Sequence, residues 1–205
     1  MTIYIQYTDY FQRQFLSDTP MEYEVCNPDF PVSIKSIWKP QPVKLNYRDL
    51  PLTDNVPGCP NGPIYTQQAV EALRELIEPY GELLPIKLRG VKLFFYNITN
   101  GLYALNHEQT VMDGALESTP NGQRWRGHVE KYAFFPDVVR NQVIFKECST
   151  IKSPVYVTDK YVQACIDAKL TGFIFQRVWS EESGSIHRQL RDIYPPANQT
   201  NKQDE

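Results

Sequence analysis

The alternation of apolar and polar residues in Thr2-Ile3-Tyr4-Ile5-Gln6-Tyr7-Thr8 has a period of two, the signature of a half-buried strand. A helical period appears further along. Ala69, Val70, Leu73, Leu76 and Ile77 fall on one face, Thr66 stands where an N-cap belongs, and Gly81 follows, so a helix is predicted near 66–79. Short apolar runs at 83–88, 91–96 and 102–105, with a turn at Arg89-Gly90, predict successive strands. Ser118-Thr119-Pro120-Asn121-Gly122 marks another turn, followed by an aromatic-rich stretch at Tyr132, Phe134 and Phe135.

The last regular unit reads strand, strand, helix, strand over 142–146, 155–157, 158–170 and 173–178. Thr158 or Asp159 is placed to cap its helix, Val162, Cys165, Ile166 and Leu170 form the expected buried stripe, and Gly172 is the expected terminator. A short helix is further expected around 186–193, before Pro195-Pro196 and a polar tail. The pattern predicts an α+β fold of short, mostly antiparallel strands with helices near 66–79 and 159–170. One main domain is expected: an N-terminal strand and proline-rich segment (1–65) packed on a core (66–179), then a polar extension (180–205).

The proline-rich part narrows this further. Eight of the 16 prolines lie between residues 27 and 63, which forbids a long helix there. Trp38, Leu45, Tyr47, Leu50 and Leu52 supply apolar surface that a free linker would lack, so the segment is expected to lie on the core.

Composition removes several function classes. With 205 residues, 41% hydrophobic and 13% aromatic, the chain can bury a sizeable core. The 21 Lys and Arg against 24 Asp and Glu leave a net charge of −3, too small to point to a polyanionic partner. The first residues lack the basic start and apolar stretch of a signal peptide, and no run approaches the roughly 18 apolar residues of a membrane span, so a cytoplasmic protein without a membrane partner is expected. Cys26, Cys59, Cys148 and Cys165 contain no CxxC pair and are expected to be reduced, structural thiols.

Candidate chemistry is sparse. His107, His128 and His187 lack the spacing of metal ligands, no GxSxG elbow is present, and the isolated glycines build no phosphate loop, so no metal, cofactor or catalytic residue is assigned. Asp113 and Glu117, four apart, would align if helical, but Gly114 and the following Ser-Thr-Pro favour a solvated turn. Arg124, Trp125 and Arg126 form the basic-aromatic cluster that could stack on a base or anchor a protein interface; the plainer alternative is a core tryptophan between solvated arginines.

Residues 80–179 resemble a large bacterial immunity-protein family of polymorphic toxin systems. The resemblance rests on Glu78-Pro79-Tyr80-Gly81-Glu82-Leu83-Leu84-Pro85, Asn106, Val111-Met112-Asp113, Ile144-Phe145-Lys146, Val155-Tyr156-Val157-Thr158-Asp159, Ala164, Ala168, Leu170-Thr171-Gly172-Phe173-Ile174-Phe175 and Val178-Trp179. It reaches back to Thr66 when the helix is included. The family commonly carries an acidic pair after the position of Asp113, where this chain has Gly114-Ala115-Leu116-Glu117.

The resemblance implies a non-enzymatic protein that neutralises a cognate toxin by stoichiometric binding, and it transfers no active-site residue. Loops on a rigid scaffold are common recognition sites, which makes Asp113, Glu117, Arg124, Trp125 and Arg126 the expected toxin interface. Two rivals remain at this stage: a hydrolase that reverses a toxin's modification, using Asp113, Glu117, His107 and His128 in a shared pocket, or an RNA-binding module in which the arginine cluster continues into a basic stripe.

Overall fold

The structure, a computed structural model, describes residues 1–9, 30–40, 42–46, 50–58 and 62–186, and the backbone of 15–17. The N-terminal half forms β1 (Thr2–Thr8), β2 (Phe15–Ser17), β3 (Lys44–Asn46), β4 (Asn55–Val56) and β5 (Ile64–Thr66). Helix α1 (Gln67–Ile77) leads through a short turn of 3-10 helix into β6 (Gly81–Ile86), β7 (Leu93–Ile98) and β8 (Gly101–Leu102). Then come β9 (Val111–Thr119), β10 (Gly122–Lys131), α2 (Pro136–Val139), β11 (Ile144–Glu147), β12 (Val155–Thr158), α3 (Asp159–Asp167), β13 (Phe173–Ser180) and β14 (Gly184–Ser185). Helix and strand are mixed, and strands dominate.

β1 lies inside a six-stranded sheet of order β14-β13-β1-β12-β11-β8, antiparallel throughout except for the parallel β8–β11 contact. The period of two read in β1 decides what it touches. Ile3 and Ile5 enter one apolar cluster with Phe134, Phe145, Tyr156 and Trp179, whereas Tyr4 enters the opposite cluster. That opposite face is covered by α1 and α3. Ala69, Val70, Leu73 and Ile77 of α1 and Tyr161, Val162 and Cys165 of α3 are buried there, around a Tyr65 hydroxyl 2.7 Å from that of Tyr161.

A second sheet, β4-β5-β7-β6, packs Tyr65 and Tyr96 toward α1 and Ile64, Leu84, Leu93 and Phe95 toward the proline-rich segment. Trp38 stacks on Phe95 at 5.7 Å and donates through Nε1 to the Pro85 carbonyl at 2.9 Å. Glu82 accepts from the Ser33 hydroxyl and the Ile34 amide, and Asn97 donates to the Val32 carbonyl. Residues 30–40 and 42–46 thus supply apolar cover and specific hydrogen bonds to this sheet.

Thr66 caps α1 as expected, accepting from the Ala69 amide at 3.3 Å. The C-terminal unit follows the predicted order, but four local expectations change. Thr158 occupies the N-cap of α3 without capping it, because its hydroxyl donates to the Gln142 carbonyl at 2.9 Å. The Asp159 carboxylate instead accepts from the Thr2 amide and the Tyr4 hydroxyl, tying the helix start to β1. Ile166 is exposed, and Tyr161 takes its expected place in the buried stripe. α3 also ends earlier than predicted, with Lys169 adopting the left-handed conformation (φ 52°) that was expected of Gly172.

Gly172 has φ +80° for a different reason. It lies where the two sheets meet, and a Cβ there would sit 2.5 Å from Thr53 Oγ1 and 2.6 Å from the Asn55 carbonyl oxygen. The same junction is hydrogen-bonded by the Asn55 amide to the Thr171 carbonyl and by the Thr171 amide and hydroxyl to the Asp54 carboxylate.

Cys148 and Cys165 are buried free thiols, while Cys26, Cys59, His187 and the expected helix beyond Ile186 lie outside the described residues. The expected polar extension from residue 180 is structured at its start: Ser180 ends β13, and Gly184 and Ser185 form β14 against Trp179 and Ser180. No helix among the described residues is long and apolar enough to cross a membrane.

Candidate protein interaction surface

The turn at Pro120-Asn121 closes a hairpin longer than the short strands expected. β9 and β10, nine and ten residues long, form a two-stranded sheet, and among the described residues no other named strand joins it. An isolated two-stranded ribbon is marginal in water. This one gains support along β10 and at its base.

The support along β10 is a turn of backbone after β11. Trp125 donates its amide to the Ser149 carbonyl at 2.8 Å and accepts from the Ile151 amide at 2.7 Å. Arg124 secures the same turn with its side chain. Only 2% exposed, it donates from Nε to the Cys148 carbonyl at 2.9 Å and from Nη2 to the Thr150 carbonyl, with its guanidinium 5.5 Å from the Phe30 ring. Nη1 is buried without a partner.

Glu147 holds the turn from the other side. Its fully buried carboxylate accepts from the Ala104 and Leu105 amides through Oε2 and from the Ser149 amide through Oε1. A buried cation and a buried anion therefore flank Cys148, each satisfied largely by backbone, which limits the cost of desolvating them. Burial pushes the Cys148 thiol up to about 11; Glu147 adds to that rise and Arg124 opposes it. At the base, Val129 packs beside the Phe134 cluster and the Tyr132 amide donates to the Ser185 hydroxyl.

Outward, the ribbon divides into two faces, because residues directly opposite across strands share a face. One carries Glu117 opposite Arg124, Ala115 opposite Arg126 and Asp113 opposite His128; the other carries Leu116 opposite Trp125 and Met112 opposite Val129. Arg126 pairs with Glu117 at 2.7 Å, both in contact with solvent. Leu116 is 51% exposed and Trp125 is half-buried. Between these pairs Gly114 faces Gly127, with φ of +123° and +150°, and a Cβ on either would strike the opposite backbone carbonyl, of Arg126 or Asp113.

No protein-family model and no curated protein matches the chain.

All five expected interface residues, Asp113, Glu117, Arg124, Trp125 and Arg126, lie on the hairpin, and three corrections follow. Asp113 and Glu117 belong to a strand, where a spacing of four also puts two side chains on one face, and not to a solvated turn. Arg124 is turned inward and fastens the hairpin, so it offers no guanidinium to a partner. The tryptophan is half-buried between one buried and one exposed arginine, unlike either the core tryptophan between solvated arginines or a fully exposed anchor. His128 is exposed opposite Asp113, and His107 is exposed in the turn before β9. Sequence reasoning missed Glu147, a single carboxylate just past the strand expected over 142–146, with no motif around it to mark it.

Proposed function

We propose that this chain is an immunity protein, an α+β scaffold acting in the cytoplasm, that neutralises a toxin domain by stoichiometric binding through the β9–β10 hairpin. The observation that carries this reading is a long ribbon, largely exposed on both faces, fastened to the body by a buried arginine. A preorganised ribbon loses less conformational freedom on binding than a loose loop would, which favours tight association. The resemblance of residues 80–179 to immunity proteins supplies the biological setting.

The ribbon also weighs against the RNA reading. Of the two arginines in the cluster, one is committed to backbone carbonyls inside the protein and the other is paired to Glu117, with Asp113 on the same face. A phosphate backbone would meet carboxylates there, a poor electrostatic match.

The test is co-expression with the protein encoded by the gene immediately upstream, where a toxin domain is expected on this reading, scored by survival and by calorimetric stoichiometry. One-to-one binding with protection is expected, and Trp125→Ala should weaken binding by about 2 kcal/mol or more while its melting temperature stays near the parent's. Absence of both complex and protection, or parental affinity in the Trp125→Ala protein, would overturn the reading.

A further inference from the structure

The outer edge of β9 is bare: among the described residues no strand pairs with it. Which of its backbone groups point outward follows from Trp125. Its amide and carbonyl are both spent on Ser149 and Ile151, away from β9, so Trp125 and Leu116 form a pair without mutual hydrogen bonds. By the alternation of an antiparallel ladder, Leu116 then directs its own N–H and C=O to the outer edge, and Met112 and Ser118 do the same.

The side chains along this edge have a consistent chemistry. Asp113 and Glu117 lie on one face, Met112 and Leu116 on the other, and β9 contains no lysine, arginine or histidine. The Arg126 contact takes Glu117 Oε1 from the inner side and holds the carboxylate in place on the ribbon. Exposed edges are usually blunted by charge. Charge of a single sign blocks like strands and admits opposite ones. Two copies of β9 paired antiparallel would bring four carboxylates to one face with no cation on either strand, which disfavours a second copy of this chain as the occupant.

Resting on the toxin-binding reading above, we infer that β9 receives a strand of the partner protein by edge addition, and that this strand alternates basic residues, set against Asp113 and Glu117, with apolar residues set against Met112 and Leu116. Main-chain hydrogen bonds supply the adhesion and the alternating side chains supply the selection. Four residues of strand span about 13 Å, so basic residues four apart on the incoming strand meet both carboxylates.

The experiment titrates the isotopically labelled full chain with a blocked nonapeptide of alternating valine and lysine, and with its valine and glutamate counterpart. The lysine peptide is expected to perturb the amides of Met112, Leu116 and Ser118 and to bind at least about fivefold more tightly than the glutamate peptide. Leu116→Pro, which removes one outward N–H and spares the hydrogen bonds to β10, should weaken the lysine peptide about tenfold more than Leu116→Ala does. The paired Asp113→Lys and Glu117→Lys substitution keeps the edge and should invert the peptide preference, so the inference stays testable should the proline variant not fold.

Equal binding of both peptides, or perturbation confined to other surfaces, overturns it. So does perturbation of the same amides on raising the protein concentration alone, which would make a second copy the occupant. Toxin binding is measured on the same variants. If the toxin binds parent and Leu116→Pro equally, edge addition fails and the immunity reading stands; if the toxin binds neither while the lysine peptide selects β9, the immunity reading fails and the edge chemistry stands.

Discussion

Arg124→Met asks how much of the hairpin's attachment depends on one guanidinium. Methionine has a similar reach and flexibility, so the loss is chiefly polar and little cavity is expected. The substitution removes two charge-assisted hydrogen bonds, to the Cys148 and Thr150 carbonyls, each of the kind that contributes about 1.5–3 kcal/mol. It also removes the contact with the Phe30 ring, where a desolvated cation gains about 1–2 kcal/mol. Against this, the parent buries Nη1 unpartnered, and relief of that desolvation offsets about 1–3 kcal/mol. The net expectation is a loss of about 3 kcal/mol, or about 6–12 °C in melting temperature for a chain of this size.

Calorimetry with hydrogen exchange at Trp125 and Ile151 measures both the size and the place of the effect. Those two amides lie in the joint between hairpin and turn, so they should lose protection ahead of the β1 and β13 ladder. Arg124→Lys should fall between parent and methionine, since an ammonium keeps the charge but lacks the fork that reaches two carbonyls. A methionine variant that melts within about 2 °C of the parent, with unchanged exchange at Trp125, would show that the buried guanidinium contributes no net stability.

Gly172→Val should destabilise by about 3 kcal/mol or more, because a branched side chain at φ +80° meets both Thr53 and the Asn55 carbonyl oxygen. Urea midpoints measure the loss, and a parental midpoint would refute the junction's tightness. Glu82 gives a pH dependence. Partial burial raises its pKa, but donors from Ser33, Asn97 and the Ile34 and Lys35 amides together hold it below the usual carboxylate value. Its contribution is therefore full above that value and lost as the pH falls through the lowered one. Glu82→Gln should cost stability at pH 6 and cost progressively less toward pH 3, read as the gap between parental and variant midpoints; a gap that widens with acid would reverse the assigned sign.

Local signals made much of the scaffold legible. The stripe Ala69, Val70, Leu73, Ile77 and the Thr66 cap concern neighbours in sequence, and so does the strand, helix, strand order at the C-terminal end. The pairing of β1 with β12 and β13 was not legible, because it joins residues at least 149 positions apart and any alternating strand satisfies the same pattern. Arg124 and Arg126 look alike in the sequence. Their opposite fates follow from what surrounds them, since one meets bare carbonyls after β11 and the other meets Glu117.

A strand exposed on both faces carries no hydrophobic alternation, so β10 gave no periodic signal. The usable clue was the turn itself: pairing outward from Pro120-Asn121 sets Glu117 against Arg124, Asp113 against His128 and Gly114 against Gly127.

The paired glycines show why the ribbon can be specific without being part of the core. At φ of +123° and +150° they occupy backbone conformations that other residues rarely adopt, and the opposing carbonyls exclude a Cβ at either one, so the shape of the hairpin is written in two positions that contribute no side chain to its surface. Shape and chemistry are thereby separated. Arg124, Gly114 and Gly127 determine where the ribbon stands, whereas on the proposed reading Asp113, Leu116, Glu117 and Arg126 join the Trp125 anchor in selecting what it meets. Exposed substitutions of the second kind ordinarily shift stability by no more than about 0.5 kcal/mol. Recognition can therefore change through those four residues while the clusters around Tyr65, Phe95 and Phe134 keep the same packing. On the proposed reading, that meets the physical requirement on a binding protein whose partner varies while its scaffold does not.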